Sequence, residues 1–324
     1  MKVLGLGNAL VDIMTQIEND EFLSENNLPK GSMQLVDFTT SSAVLKAAEG
    51  FKKSMASGGS AANTIHGLAK MGVDTAFIGK VGKDDMGNFF KNDLINSNID
   101  SRLLLSENPS GVAAALVSPD AERTFATFLG AAVELSADDL KPEMFTGFDV
   151  FHIEGYLVQN HDLIETAIKM AKEAGCRVSI DLASYNVVED NLDFLHKMVE
   201  NVDIVFANEE EAKAFTGLEP EAALDKIAEE VEIAVVKIGS KGSMVKNNGK
   251  IYKAGVIKAN SIDTTGAGDL YASGFLYGMS KNLNFDQCAE IGAVIAGNVI
   301  EVIGAKMDAD RWERIYSMVK EIEN

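Results

Sequence analysis

Hydrophobic and polar positions alternate between two periods along this chain, and the order of those periods predicts its fold class. Residues 2–7 form a short apolar run closed by glycine, which reads as a buried strand. Residues 63–71 then place Ile65, Leu68 and Ala69 at helical spacing before Gly72 stops the turn. A further strand is predicted over 75–81, and a helix from about 86 to 95 with Phe89, Phe90 and Leu94 on one face. The second half repeats the grammar, with strands at 150–153, 178–182, 202–207 and 234–238 and a helix over 163–174 capped at Gly175. Strand and helix in alternation predict a mostly parallel sheet between helices. Asn248-Gly249 interrupts the pattern within 243–252 as a hairpin turn, so the sheet is expected to end in an antiparallel flap, after which helices run to Asn324.

Two stretches leave this rhythm. Residues 13–38 and 102–128 read as a small discontinuous β lid, the second as two strands joined at Pro119-Asp120. The core is then expected to comprise residues 1–12, 39–101 and 129–324. Two excursions of the main sheet would produce a similar pattern.

Composition narrows the choice of partner. With 324 residues, 46% of them hydrophobic, the chain can bury a large core. A formal net charge of −20 leaves no basic stripe, so nucleic acid and anionic membranes are poor partners. No run reaches the length of a bilayer span, and the start lacks a signal-peptide pattern. Cys176 and Cys288 both lie in apolar contexts and are expected to be reduced thiols, which suggests the cytoplasm.

The string DTTGAGDLYASGFLYG, from Asp263 to Gly278, opens a helix after a polar turn. Gly266, Ala267 and Gly268 leave their amides open to a ligand where unpaired N–H groups and the positive dipole end of a helix converge. An anion is favoured there, and Asp269 adds a proton acceptor beside it. An ordinary turn, with Asp269 complementing the dipole, would have the same short sequence. Other strings stand at intervals: GLGNALVDI with Asp12, GGSAANT with Gly58, Gly59 and Asn63, NEEEA with Asn208 and Glu211, KIGSKGS with Lys237, Gly239 and Gly242, and VIGAK preceded by Asn298.

In this order, and over essentially the whole length, the strings resemble those of the ribokinase-like, or pfkB-type, carbohydrate kinases. The resemblance implies an α/β core with a β lid over the acceptor, and transfer of the γ-phosphoryl of ATP to an alcohol. It implies Asp269 as the base, and Gly266, Ala267 and Gly268 as the anion cradle. Asp12 would accept hydrogen bonds from two sugar hydroxyls, with Gly58, Gly59 and Asn63 beside the acceptor. Asn208 and Glu211 would hold Mg²⁺ and phosphate through water, with Lys237, Gly239, Gly242 and Asn298 along the nucleotide. Lys237 stands where relatives often have Thr. Asp263 and Gly304 would belong to a loop binding a monovalent cation such as K⁺. A phosphate loop of the Gly-x-x-x-x-Gly-Lys type, the protein-kinase motifs and a dinucleotide fingerprint are all missing from the sequence.

Within that family the opening looks most like adenosine kinases, through Gln34, Arg123 and Tyr156, with Leu35 and Val36 expected to wall a nucleobase. A nucleoside is therefore the first expectation for the acceptor, a free sugar the second and a sugar phosphate the third. A sugar- or nucleoside-binding sensor without turnover is the reading from another class. A monomer and a homodimer are both compatible with the lid's edge strand.

Overall fold

The computed structural model describes residues 1–120 and 122–324. The described residues form fourteen strands: β1 (Lys2–Leu6), β2 (Leu10–Gln16), β3 (Met33–Leu35), β4 (Lys53–Gly58), β5 (Asp74–Gly82), β6 (Ile99–Ser106), β7 (Gly111–Val117), β8 (Arg123–Phe128), β9 (Val150–Glu154), β10 (Arg177–Asp181), β11 (Ile204–Asn208), β12 (Ile233–Lys237), β13 (Ser243–Asn247) and β14 (Lys250–Ala254). Nine of them make one sheet, in the order β14-β13-β12-β11-β10-β9-β1-β5-β6. All pairs are parallel except β12–β13 and β13–β14, the antiparallel flap that Asn248-Gly249 announces.

Parallel strands must be covered on both faces, and β1 shows how the sequence meets that demand. Val3 packs into one apolar layer and Leu4 and Leu6 into the other. The first layer is closed by the helices Ser60–Lys70, Ala267–Ser280, Phe285–Val299 and Ala309–Glu323, through Ile65, Leu270, Ile291 and Trp312. The second is closed by His161–Glu173 and Glu209–Thr216, through Leu163, Ile164 and Phe215.

A five-stranded sheet, β3-β8-β7-β2-β4, stands apart with its own apolar layer under Phe22, Leu23 and Val44. Its strand pairing departs from the expected lid boundaries. β2 begins at Leu10, so Asp12 lies inside the small sheet, opposite Ala56 and Ala113. β4, expected in the core, pairs with β2, whereas β6, whose C-terminal half was expected in the lid, is the edge of the main sheet beside β5. KSMASG carries too little apolar alternation to announce a strand, and β6 is half-buried at an edge, so neither pattern betrays its sheet. Ala121, within the expected lid range, lies outside the described residues. Among the described residues, no helix is long and apolar enough to cross a membrane.

Candidate active site

The carboxyl ends of the parallel strands converge on a cavity of about 820 Å³ beneath the small sheet. At its centre, Gly266 starts the Ala267–Ser280 helix, and Asp269 sits in the first turn. Ser60 Oγ donates to Asp269 Oδ1 at 2.7 Å, and Asn63 Nδ2 donates to Oδ2 at 3.0 Å. Thr64 Oγ1 donates to the Asp269 carbonyl at 3.1 Å, so the Ser60–Lys70 helix holds both carboxylate and backbone of the candidate base. Burial pushes the Asp269 carboxyl up to about 6, while the donors Ser60 and Asn63 pull it back by favouring the charged form. Such a group is ionised near neutrality yet basic enough to take a proton.

Glu154, at the end of β9, fixes the turn that delivers Ser60 and Asn63. Its Oε1 accepts from Asn8 N at 3.0 Å and Asn8 Nδ2 at 2.6 Å, and its Oε2 from Ala61 N at 3.0 Å. Gly59 has φ +97°, and a Cβ there would collide with the Asn8 carbonyl, so only glycine allows the chain to pass. Burial raises the Glu154 carboxyl to about 7 against the pull of these three donors. Glu154 was not singled out from sequence; an acid closing the strand VFHIE was the available signal.

Asp12 faces the same cavity from β2 and packs against Gly58, where any Cβ would strike its carboxylate. Burial pushes Asp12 up to about 7, while the charges of Lys306 and Arg123 pull it down. Asn63 Oδ1 is buried with no partner among the described residues, which leaves an acceptor atom for a ligand hydroxyl. Tyr156, reached from the end of β9, and Phe125 on β8 add aromatic surface to the wall.

Further along, Gly239, Gly242, Lys237, Asn208 and Glu211 all line the cavity. Asn208 caps the Glu209–Thr216 helix: its Oδ1 accepts from Glu210 N at 2.9 Å and Glu211 N at 2.8 Å, while its own N and Nδ2 donate to the Glu211 carboxylate at 2.7 and 2.6 Å. The Asn-x-x-Glu string is thus a reciprocal cap whose carboxylate also reaches the cavity. Burial and the neighbouring Asp181 raise Glu211 to about 7. The far end is apolar, with Val256, Ile257, Ala296, Gly297 and Ile300 forming a slot.

Seven of the expected residues stand elsewhere. Gln34 shares the face of Ala126, opposite to Phe125, and donates to Ser32 at 3.3 Å. Its neighbours Leu35 and Val36 line a separate surface groove beside Phe38 and Phe128. Asn298 is fully buried, its Nδ2 donating to the Val294 carbonyl at 2.8 Å; the cavity face of that helix belongs to Ala293, Ala296 and Gly297. Arg123 forms a partly buried ion pair with Asp263. Asp263 also accepts from Thr265 N at 2.7 Å and from Gly304 N at 2.6 Å. In the loop expected to hold K⁺, a guanidinium and two N–H groups thus meet the Asp263 carboxylate.

The chain matches the model of the pfkB family carbohydrate kinases over residues 31–311. A probable sugar kinase from Rhizobium etli shares 32% identity with a TM-score of 0.87, covering 98% of each chain. Adenosine kinase from Sinorhizobium meliloti likewise gives 32% identity and a TM-score of 0.87, over 98% of this chain and 99% of that one. A nucleoside kinase from Methanocaldococcus jannaschii is 28% identical over 263 residues, 80% of this chain and 83% of that protein.

Proposed function

The chain belongs to the pfkB family of carbohydrate kinases, and from that premise we propose that it moves the γ-phosphoryl of MgATP to the primary hydroxyl of a ribonucleoside resembling adenosine. The observation that carries this reading is the joint placement of Asp269, its donors Ser60 and Asn63, and the amides of Gly266, Ala267 and Gly268 in one cavity with Asp12. The glycine-lined helix start is open where a phosphate would lie, and the slot around Val256 and Ile257 suits an adenine ring, so the residues present fit the nucleotide.

The acceptor's vicinal diol is held by Asp12, which offers two acceptor oxygens, and by Asn63 Oδ1. Asp269 takes the proton of the hydroxyl as its oxygen attacks. The cradle amides receive the charge that spreads over the phosphoryl oxygens. Glu211 and Asn208 are the residues that would hold Mg²⁺ through water; when bound, the ion neutralises phosphate charge. Tyr156 and Phe125 favour a nucleobase over a bare sugar, in line with the name of the Sinorhizobium relative. The name of the Rhizobium etli relative favours a free sugar as the second reading. A sensor without turnover gains no support, since these relatives are named as kinases.

A panel of adenosine, inosine, ribose, fructose and a keto-deoxy sugar acid, assayed for acceptor-dependent ADP formation, separates these readings. Turnover of adenosine or inosine in preference to the free sugars is expected. Turnover confined to fructose or the sugar acid would overturn the nucleoside reading and leave the kinase intact.

A further inference from the structure

The cavity floor carries a cation that neither the amide cradle nor the base accounts for. Lys237 ends β12, and its Nζ donates to Asp181 Oδ2, at the end of β10, at 2.7 Å. The same Nζ lies 3.0 Å from the point where a Cβ on Gly268 would stand. The ammonium therefore faces the cradle across a space that only glycine leaves open. Asp181 is itself fixed, its Oδ1 accepting from Ala183 N at 3.1 Å. Burial alone would pull the Lys237 ammonium down, but the carboxylates of Asp181 and Glu211 outweigh burial and hold it above the ordinary lysine value.

We propose that Lys237 is a catalytic residue whose ammonium binds the non-bridging oxygens of the γ-phosphoryl group during transfer, and that Asp181 is the positioning residue that aims it. This rests on the kinase reading. In the step, a bond forms between the acceptor oxygen and the γ-phosphorus while the bond from that phosphorus to the bridging oxygen breaks. The electron pair leaves with ADP and the acceptor proton goes to Asp269. A cation beside Gly268 meets the phosphoryl group as it leaves the β-phosphate, when its charge is least shared with ADP. A lysine serves this end as a movable point charge.

The rival explanation is that Lys237 merely neutralises the buried Asp181. Lys237→Met and the double variant Asp181→Asn with Lys237→Met separate the two, because the double variant removes both charges together. Turnover with MgATP is measured alongside calorimetric binding of ADP and of the non-hydrolysable analogue AMP-PNP. We expect kcat to fall by about 10²–10³ in both variants. ADP affinity should stay within about threefold of wild type, with AMP-PNP affinity weakened about tenfold or more. A double variant restored to wild-type kcat and to the wild-type ratio of AMP-PNP to ADP affinity would reduce Lys237 to a counter-ion and overturn the proposal. So would unchanged AMP-PNP binding and turnover in Lys237→Met. A wild-type protein that binds neither nucleotide would overturn the kinase reading and this inference with it.

Discussion

Ser60→Ala removes one of the two side-chain donors to Asp269, and its consequence should depend on pH in a calculable way. The Ser60 hydroxyl meets Oδ1 at 2.7 Å and favours the ionised carboxylate. A donor to a charged acceptor is worth about 1.5 kcal/mol, or about one pKa unit. Asp269, held at about 6 with both donors present, should then rise to about 7 in the variant. Because a general base works only when deprotonated, the sign is fixed: the acid limb of kcat/KM moves to higher pH. At pH 6 the wild-type carboxylate would be about half ionised and the variant's about a tenth, a roughly fivefold loss. Near pH 8.5 both would be ionised and this part of the defect would vanish. The free-enzyme limb is read from kcat/KM against pH at saturating MgATP, with the best alcohol of the panel as acceptor. Asp12 and Glu211 also titrate near 7, but they are common to both proteins, so the ratio of the two profiles isolates Asp269. A variant slower by one constant factor at every pH would show that Ser60 shapes the turn without tuning the base, and the reasoning would fall.

Asp269→Asn is expected to keep the melting temperature and lower kcat by about 10²–10⁴; an unchanged kcat would remove it from the chemistry. Asp12→Ala should lose most activity and, in the residual rate, lose preference for a ribonucleoside over its 2′-deoxy and 3′-deoxy analogues, a preference of about 1–3 kcal/mol per missing hydroxyl in the parent; equal discrimination in both proteins would place the diol elsewhere. Glu154 has a folded pKa of about 7 against 4.5 for the free group, so the folded state binds the extra proton and stability should fall as pH rises between those values. Glu154→Gln should flatten that slope in urea titrations of the ligand-free protein, and parallel curves for the two proteins would contradict the assignment.

The parts of the site that the sequence announced are those whose residues are neighbours along the chain. GAGD, the Gly58-Gly59 turn, NEEEA and KIGSKGS each need only one turn or helix start to place them, and all four strings reach the cavity. What escaped depends on distant partners. Glu154 is joined to Asn8 across 146 positions, and Ser60 to Asp269 across 209, so no local pattern marks either pair. Gln34 and Asn298 failed through phase. β3 has three residues, too few to fix which face points inward, and Asn298 shares its helix face with Val294, away from the row of 293, 296, 297 and 300. Arg123 was expected beside the acceptor, but its partner, Asp263, lies 140 positions away.

Glu154, Asp181, Asn208 and Lys237 terminate four consecutive strands, β9 to β12. Their spacing is therefore set by the backbone: Asp181 stands opposite Glu154 and Lys237 opposite Asn208, each pair about 4.8 Å apart, with a step of two residues between the pairs because Asp181 is in register with Phe206; main-chain hydrogen bonds maintain it, indifferent to the side chains mounted on it. The row works as a ruler. A substitution at a strand end changes the functional group at a fixed mark. One residue inserted within a strand would instead shift the register by one position and turn the reading side of the ruler to the opposite face of the sheet. The chemistry of this edge can thus be revised one residue at a time, while its geometry can be lost in a single insertion.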